Sequence, residues 1–291
     1  MNAEEDGTLD GSAVRSSAPY DIARLHLEES GDEGPLLLCL HGIGSSSASF
    51  APQSEAFGDR MRVVAWDAPG YARSADPQVP LDLDGFADTA AALIASRAAS
   101  AHVLGVSWGG VVAQRLALRH PELVDGLVVA DSSVGSGAEP AQTEGMRQRV
   151  AQLEELGPRA FAEQRAPRLL SDGAPAELVQ HVVDTMAESV RLPGYAYAAE
   201  SMAATDLSGE IGALTVPVLV LCGSEDRVTG PGASQRIAGS VHKSAYVVVN
   251  GAGHLANQER PGAFNDWVLS HLRIAALIPE FSGMPKPGTG P

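Results

Sequence analysis

Apolar positions along the chain fall into short unbroken runs rather than into a polar–apolar alternation. Six of them end in small or polar residues: "PLLLCLHG" (35–42), "MRVVAWDAPG" (61–70), "AHVLGVS" (101–107), "VDGLVVADSS" (124–133), "VPVLVLCGSED" (216–226) and "SAYVVVNGAG" (244–253). Val- and Leu-rich runs without alternation are expected of strands covered on both faces, as in a parallel sheet. Helix-like stretches lie between them, at 83–98, 109–121 and 232–240, and a final amphipathic helix spans roughly Ala263 to Ala276. Strand and helix in alternation predict an α/β protein with right-handed crossovers.

The rhythm stops between Gly135 and Ser208, where no strand-like run occurs. Helical patterns such as "TEGMRQRVAQLEEL" and "PAELVQHVVDTMAESV" replace it, interrupted at Pro158, Pro167, Pro175 and Pro193. This predicts a helical insertion, 135–208, between core segments 20–134 and 209–278. The acidic start (1–19) and the Pro/Gly-rich end "PEFSGMPKPGTGP" (279–291) carry no core pattern and are expected to be disordered.

The chain has 291 residues, long enough for a large core, and 44% of them are hydrophobic. Its formal charge of −16 repels phosphate backbones and anionic lipid heads, which argues against nucleic acid or a membrane surface as a partner. The N-terminus lacks a basic segment followed by an apolar one, and no apolar stretch reaches spanning length, so a cytoplasmic protein is expected. Cys39 and Cys222 lie inside apolar runs and are expected to pack as buried, reduced side chains. Oligomeric state is not legible.

Chemistry concentrates where the third run ends. "LGVSWGG" (104–110) sets three glycines about Ser107 between a strand and a helix, the G-x-S-x-G pattern of a nucleophile elbow. Small neighbours let a tight turn lift the serine hydroxyl above the sheet, and the following helix aims its N-terminal N–H groups at the same place. A serine needs a base to take its proton. Of eight histidines, His254 alone follows the last strand on a glycine-containing loop, "NGAGHL", at the sheet edge where sites form. The base in turn needs an acid to fix its tautomer. Asp226 closes "VLVLCGSED" and completes the order Ser107, Asp226, His254, with Asp131, Glu225 and Asp67 as rivals at other strand ends. "LHGIG" (40–44) offers a second loop, so that the backbone N–H groups of Ile43 and Trp108 would hold an oxyanion while the His41 imidazole orders the turn. No metal-ligand spacing, phosphate loop or dinucleotide fingerprint occurs, so no cofactor is expected.

With these residues in place, the chain resembles the α/β-hydrolase superfamily. The likeness runs from "LLLCLHGIG" through "WDAPGYARS", "GVSWGG", "GSEDRV" and "GAGH", roughly residues 35 to 275. It implies an α/β-hydrolase fold, a mostly parallel doubly wound sheet whose insertion caps the site. Ala72 stands where the family's loop usually has glycine. A serine at the elbow argues against haloalkane dehalogenases and epoxide hydrolases, which use aspartate. "GAGHLANQERPGAFN" is similar to the closing segment of 3-oxoadipate enol-lactone hydrolases and related small esterases, implying a small ester or lactone as substrate. Carbon–carbon hydrolases of ring meta-cleavage products commonly carry Trp after the histidine, where this chain has Leu255. They remain the alternative, beside cofactor-free perhydrolases (haloperoxidases) and non-enzymatic ligand receptors of the same fold. In the insertion, Tyr195, Tyr197, Met186, Met202, Arg168 and Arg191 are candidates to face substrate, and an arginine there could hold a carboxylate.

Overall fold

The computed structural model describes residues 19–277, so the expectations for 1–18 and for 279–291 lie outside it. Seven strands form one sheet: β1 (Leu27–Ser30), β2 (Leu36–Leu40), β3 (Arg62–Trp66), β4 (Ala101–Val106), β5 (Val124–Ala130), β6 (Val218–Gly223) and β7 (Ser244–Val249). Their order is β1-β3-β2-β4-β5-β6-β7. Every pairing is parallel except β1 with β3. Six strands coincide with the six apolar runs. The seventh, β1, was not anticipated: its Leu-Glu-Glu-Ser sequence is short, half-exposed and acidic, and it takes its place by pairing along β3 at the sheet edge.

Nine α-helices accompany the strands among the described residues. They are α1 (Ala51–Phe57), α2 (Leu83–Arg97), α3 (Trp108–Arg119), α4 (Pro140–Arg165), α5 (Ala176–Ser189), α6 (Gly194–Ala203), α7 (Gly230–Ser240), α8 (Ala256–Glu259) and α9 (Pro261–Leu277). The central strands are buried on both faces, and successive residues feed opposite cores. Leu36, Leu38 and Leu40 join Phe86, Val111 and Ile237 under α2, α3 and α7. Leu37 and Cys39 join Phe57, Phe264 and Leu272 under α1 and α9. Runs buried on two sides cannot alternate, which is why the strands read as continuous apolar segments. Both cysteines are buried and free.

Between β5 and β6 the chain is helical, as α4, α5 and α6. Helix α4 is two helices joined at Gly157, whose φ of 71° breaks the helical backbone just before Pro158. Pro175 and Pro193 stand at the N-caps of α5 and α6, positions where proline's fixed φ and missing N–H do no harm. Among the described residues no helix is long and apolar enough to cross a membrane.

Candidate active site

Ser107 links β4 to α3 with φ 56° and ψ −120°, a backbone that side-chain-bearing residues seldom adopt. The glycines around it are required by close approach. A Cβ on Gly105 would lie 2.3 Å from the carbonyl oxygen of Gly109, and one on Gly109 would lie 2.0 Å from that of Leu40. Strand β4 and helix α3 can therefore meet only if both positions are bare. The strain is held by neighbours: the Ser107 N–H donates to the Ala130 carbonyl at 2.8 Å, and the Ser132 hydroxyl donates to the Ser107 carbonyl at 2.6 Å.

The three residues singled out from sequence converge. His254 Nε2 is 2.8 Å from Ser107 Oγ, and His254 Nδ1 is 3.1 Å from both carboxylate oxygens of Asp226. His254 and Asp226 are 2% and 5% exposed, so this chain of hydrogen bonds is shielded from water except at the serine. Asp226 also accepts from the Val228 N–H at 2.8 Å and from the Thr229 hydroxyl at 2.7 Å. Burial pushes its carboxyl pKa up, but the His254 hydrogen bond and charge, with Thr229 and Val228, outweigh burial and hold it below the usual carboxylate range. An ionised Asp226 makes Nδ1 the protonated nitrogen, leaving Nε2 free to accept the serine's proton. Thr229, which steadies this carboxylate, carries no motif signal and was missed from sequence.

The rival acids lie elsewhere. Asp131 sits at the end of β5 in a left-handed backbone (φ 47°) and accepts from the N–H groups of Gly223 (2.8 Å) and Ala256 (3.1 Å). It thus pins the two loops that carry Asp226 and His254 without reaching the imidazole by a hydrogen bond. Burial raises its carboxyl pKa to about 7, against the pull of His254 and those two donors. Glu225 is exposed. Asp67 caps the loops, accepting from the N–H groups of Ser47 and Arg73. Asp131, Asp226 and the Cys222 thiol do cluster, with possible ligand atoms within 4.8 Å of one another. The hydrogen bonds just described already engage the carboxylates, and burial raises the Cys222 pKa to about 12, keeping the thiol protonated.

His41 is fully buried, with Nδ1 2.8 Å from the Gly42 carbonyl and Nε2 3.0 Å from the Ala68 nitrogen. The Ala68 N–H must donate to Nε2, so Nδ1 carries the proton, and burial lowers the imidazole pKa and keeps it neutral. His41 orders the turn, as its position after β2 suggests. That turn carries Gly42 against the Ser107 Cβ and brings Ile43 to the cavity wall beside Ser107. Trp108 is the first residue of α3, so its N–H has no intrahelical acceptor. Its fully buried indole donates to the Ser201 hydroxyl at 3.0 Å.

Two cavities meet at Ser107. One, of about 630 Å³, is bordered by His254, Leu255, Met186, Tyr195 and the arginines 149, 165 and 168. The other, of about 680 Å³, is bordered by Trp108, Ser133, Gln142, Met202 and Asp206. Ile43, Ser107, Arg149 and Val228 border both. Tyr195, Met186, Met202 and Arg168 thus reach the cavities, as their place in the insertion suggests. Arg191 does not: it pairs with Asp76 and donates to the carbonyls of Ala72 and Ser74. Tyr197 lines a separate groove beside Pro80 and Leu81. Arg149 and Arg165 went unnoticed in the sequence.

Residues 37–267 match the model of the alpha/beta hydrolase family, and the chain belongs to that family. The 3-oxoadipate enol-lactonase 2 of Acinetobacter baylyi is 27% identical over 79% of this chain and 86% of its own. A 2-hydroxy-6-oxononadienedioate/2-hydroxy-6-oxononatrienedioate hydrolase from Pseudomonas is 28% identical over 85% of this chain and 91% of its own. Other relatives of comparable identity are named as carbamate hydrolases. Among solved structures, a malate-bound thermophilic esterase from Thermogutta terrifontis superposes with a TM-score of 0.79 at 26% identity, covering 86% of this chain and 93% of that one. The chain is an α/β-hydrolase with hydrolase relatives, and its sheet and elbow are those of that fold.

Proposed function

We propose that this hydrolase cleaves small carboxylic esters or enol-lactones through an acyl-enzyme on Ser107. The observation that carries the reading is the continuous line from Asp226 through His254 to Ser107 Oγ, with distances of 3.1 and 2.8 Å. His254 takes the hydroxyl proton as Oγ bonds to the acyl carbon. The ionised Asp226 stabilises the resulting imidazolium, and the N–H groups of Ile43 and Trp108 receive the oxyanion. His254 then protonates the leaving oxygen, and water repeats the sequence to release the acid. Helices α4 to α6 act as the cap that closes the cavities over Ser107, and residues 20–134 and 209–277 form the core beneath it. The enol-lactonase and esterase relatives support an oxygen leaving group.

Ser107→Ala is expected to keep its fold and lose hydrolysis of an aryl ester on the order of 10⁴-fold, and rapid quench should leave an acyl adduct on wild-type Ser107. A variant retaining a tenth of wild-type kcat would remove Ser107 from this role. The second reading, carbon–carbon cleavage of a ring-fission dienoate, rests on the Pseudomonas relative. That reaction needs polar groups to manage the dienol proton, whereas the residue after His254 is the buried Leu255. Parallel kcat/KM values on an enol-lactone, an aryl ester and a dienoate separate the two. A hundredfold preference for the dienoate would establish the carbon–carbon hydrolase.

A further inference from the structure

The chain carries 36 acidic and 20 basic side chains, so a cation has many potential partners. Arg227, on the wall of the first cavity, has one: it forks onto Asp172 at 2.6 and 2.8 Å. Arg149, Arg165 and Arg168 border the same cavity, and among the described residues none of them has a carboxylate at ion-pair distance. Arg149 stands near the buried Tyr195, and the Arg165 guanidinium lies 5.4 Å from the centre of the Phe161 ring. Burial, then the neighbouring Arg149 and Arg168 charges, pull the Arg165 pKa down to about 10, which leaves it charged at neutral pH. A half-buried guanidinium set beside two others is costly until an anion joins it, and a carboxylate fits its fork with two parallel hydrogen bonds.

The two cavities are not equivalent with respect to His254, which borders the first and not the second. In the tetrahedral intermediate, one substituent is Ser107 Oγ and a second is the oxyanion. The leaving oxygen must face His254 Nε2, because the proton taken from the serine is delivered there. The leaving group therefore exits into the first cavity, and the acyl remainder occupies the second. The second cavity sets Arg149 and Arg236 against Glu139 and Asp206, whereas the first sets four arginines against Asp172, so only the first offers an anion an excess of positive charge.

We infer that the substrate is an ester or lactone whose leaving-group side carries a carboxylate, bound by Arg165 and Arg149 in the cavity that His254 borders. The inference rests on the serine-hydrolase reading above. In the acylation step the bond from Ser107 Oγ to the acyl carbon forms and the bond from that carbon to the leaving oxygen breaks. The serine proton passes through His254 to the leaving oxygen. From an ester, a hydroxy-carboxylate departs and a neutral acyl group stays on the enzyme until water, losing its proton to His254, releases it.

Three esters of matched chemistry test this with the wild-type enzyme: phenyl butyrate, 3-carboxyphenyl butyrate and phenyl hemiglutarate. A meta carboxylate alters phenol acidity little, so the first two differ mainly in recognition. The expected result is a kcat/KM for 3-carboxyphenyl butyrate at least tenfold above that for phenyl butyrate, expressed in KM, with phenyl hemiglutarate no better than phenyl butyrate. In Arg165→Met the ratio between the first two esters should fall below threefold, and Arg165→Lys should retain part of it. Equal values for the first two esters would overturn the carboxylate site while leaving the hydrolase reading intact. A preference for the hemiglutarate would overturn the assignment of sides. Turnover of all three no faster than by Ser107→Ala would remove the hydrolase reading itself, and this inference with it.

Discussion

Replacing Asp226 by Asn tests the assignment of the acid without changing its size. In the wild type both oxygens accept: His254 Nδ1 lies 3.1 Å from each, Val228 N–H 2.8 Å from Oδ1 and the Thr229 hydroxyl 2.7 Å from Oδ2. An amide keeps one acceptor and adds two donors. Its oxygen is best placed facing the two backbone N–H groups of Val228 and Thr229, which cannot turn away. The new NH₂ then faces His254 Nδ1, which must accept, and the imidazole proton moves to Nε2, where it points at Ser107. The base is then in the wrong tautomer. In a serine protease triad the same replacement costs about 10⁴ in kcat, and at 1.36 kcal/mol per tenfold that is about 5.5 kcal/mol of barrier. Steady-state kcat on an aryl ester near pH 7.5 is the assay, with thermal melting as the control for folding. Asp131→Asn is the paired variant. It loses one acceptor for a buried N–H, so it should cost about 1–3 kcal/mol of stability and less than tenfold in kcat. If Asp131→Asn proved crippling and Asp226→Asn kept a tenth of the activity, the acid would be Asp131.

Further outcomes follow from packing and titration. Gly109→Ala puts a methyl 2.0 Å from the Leu40 carbonyl oxygen and should prevent folding or lower the melting temperature severely. Gly145→Ala, in helix α4 with nothing within 4 Å, should stabilise by about 0.5–1 kcal/mol; a loss at Gly145 would refute the packing argument. Burial lowers the His271 pKa from 6.5 to about 4, so the unfolded chain binds the extra proton between those values. Stability is then present above pH 6.5 and lost as pH falls towards 4, by up to about 3 kcal/mol; urea titrations should show His271→Leu flattening that limb. Ala72 is held at φ 40°, where the family's loop usually has glycine. Strain relief of about 1–2 kcal/mol in Ala72→Gly is offset by about 0.4–1 kcal/mol of chain entropy, so melting should be unchanged or raised, and Ala72→Val should lower it.

The parts of the fold visible in sequence are those where one physical demand sets the residue type. Burial on both faces leaves Arg62, His102 and Asp125 as the polar residues of β2 to β6, so each strand appears as a run. Proline cannot continue a helix, so Pro158, Pro175 and Pro193 mark the breaks around α4, α5 and α6. β1 satisfied no such demand. Half-exposed at the edge, it could be Leu-Glu-Glu-Ser because its partner strand, not its own composition, makes it a strand. Helix α1 was missed for a related reason. Its seven residues are too few to show a period, and only Gln53 and Phe57 are buried.

The same distinction divides the site. Ser107, Asp226 and His254 stand at the carboxyl ends of strands, where the fold fixes which loops meet, so chain order and glycine context were enough to predict that they come together. Arg149 and Arg165 lie on the two halves of α4, on either side of the break at Gly157. Whether such side chains meet depends on the direction the second half takes after the break, and no spacing rule encodes that direction. Arg168 and Arg191 looked equally eligible in sequence, yet the fold sends Arg191 to carbonyls of the loop around Ala72 and leaves Arg168 at the cavity. Two tethers carry that geometry across to the cluster of Ser107, His254 and Asp226. The His254 N–H donates to the Leu169 carbonyl at 2.8 Å, and the buried Glu259 accepts from the N–H groups of Gly253 and Ser171 and from the Ser171 hydroxyl. The segment that follows Arg165 and Arg168 is thereby fixed to the loop bearing His254. The elbow and its neighbours are placed by strand ends common to the fold, whereas the cations above them depend on the course of the inserted helices.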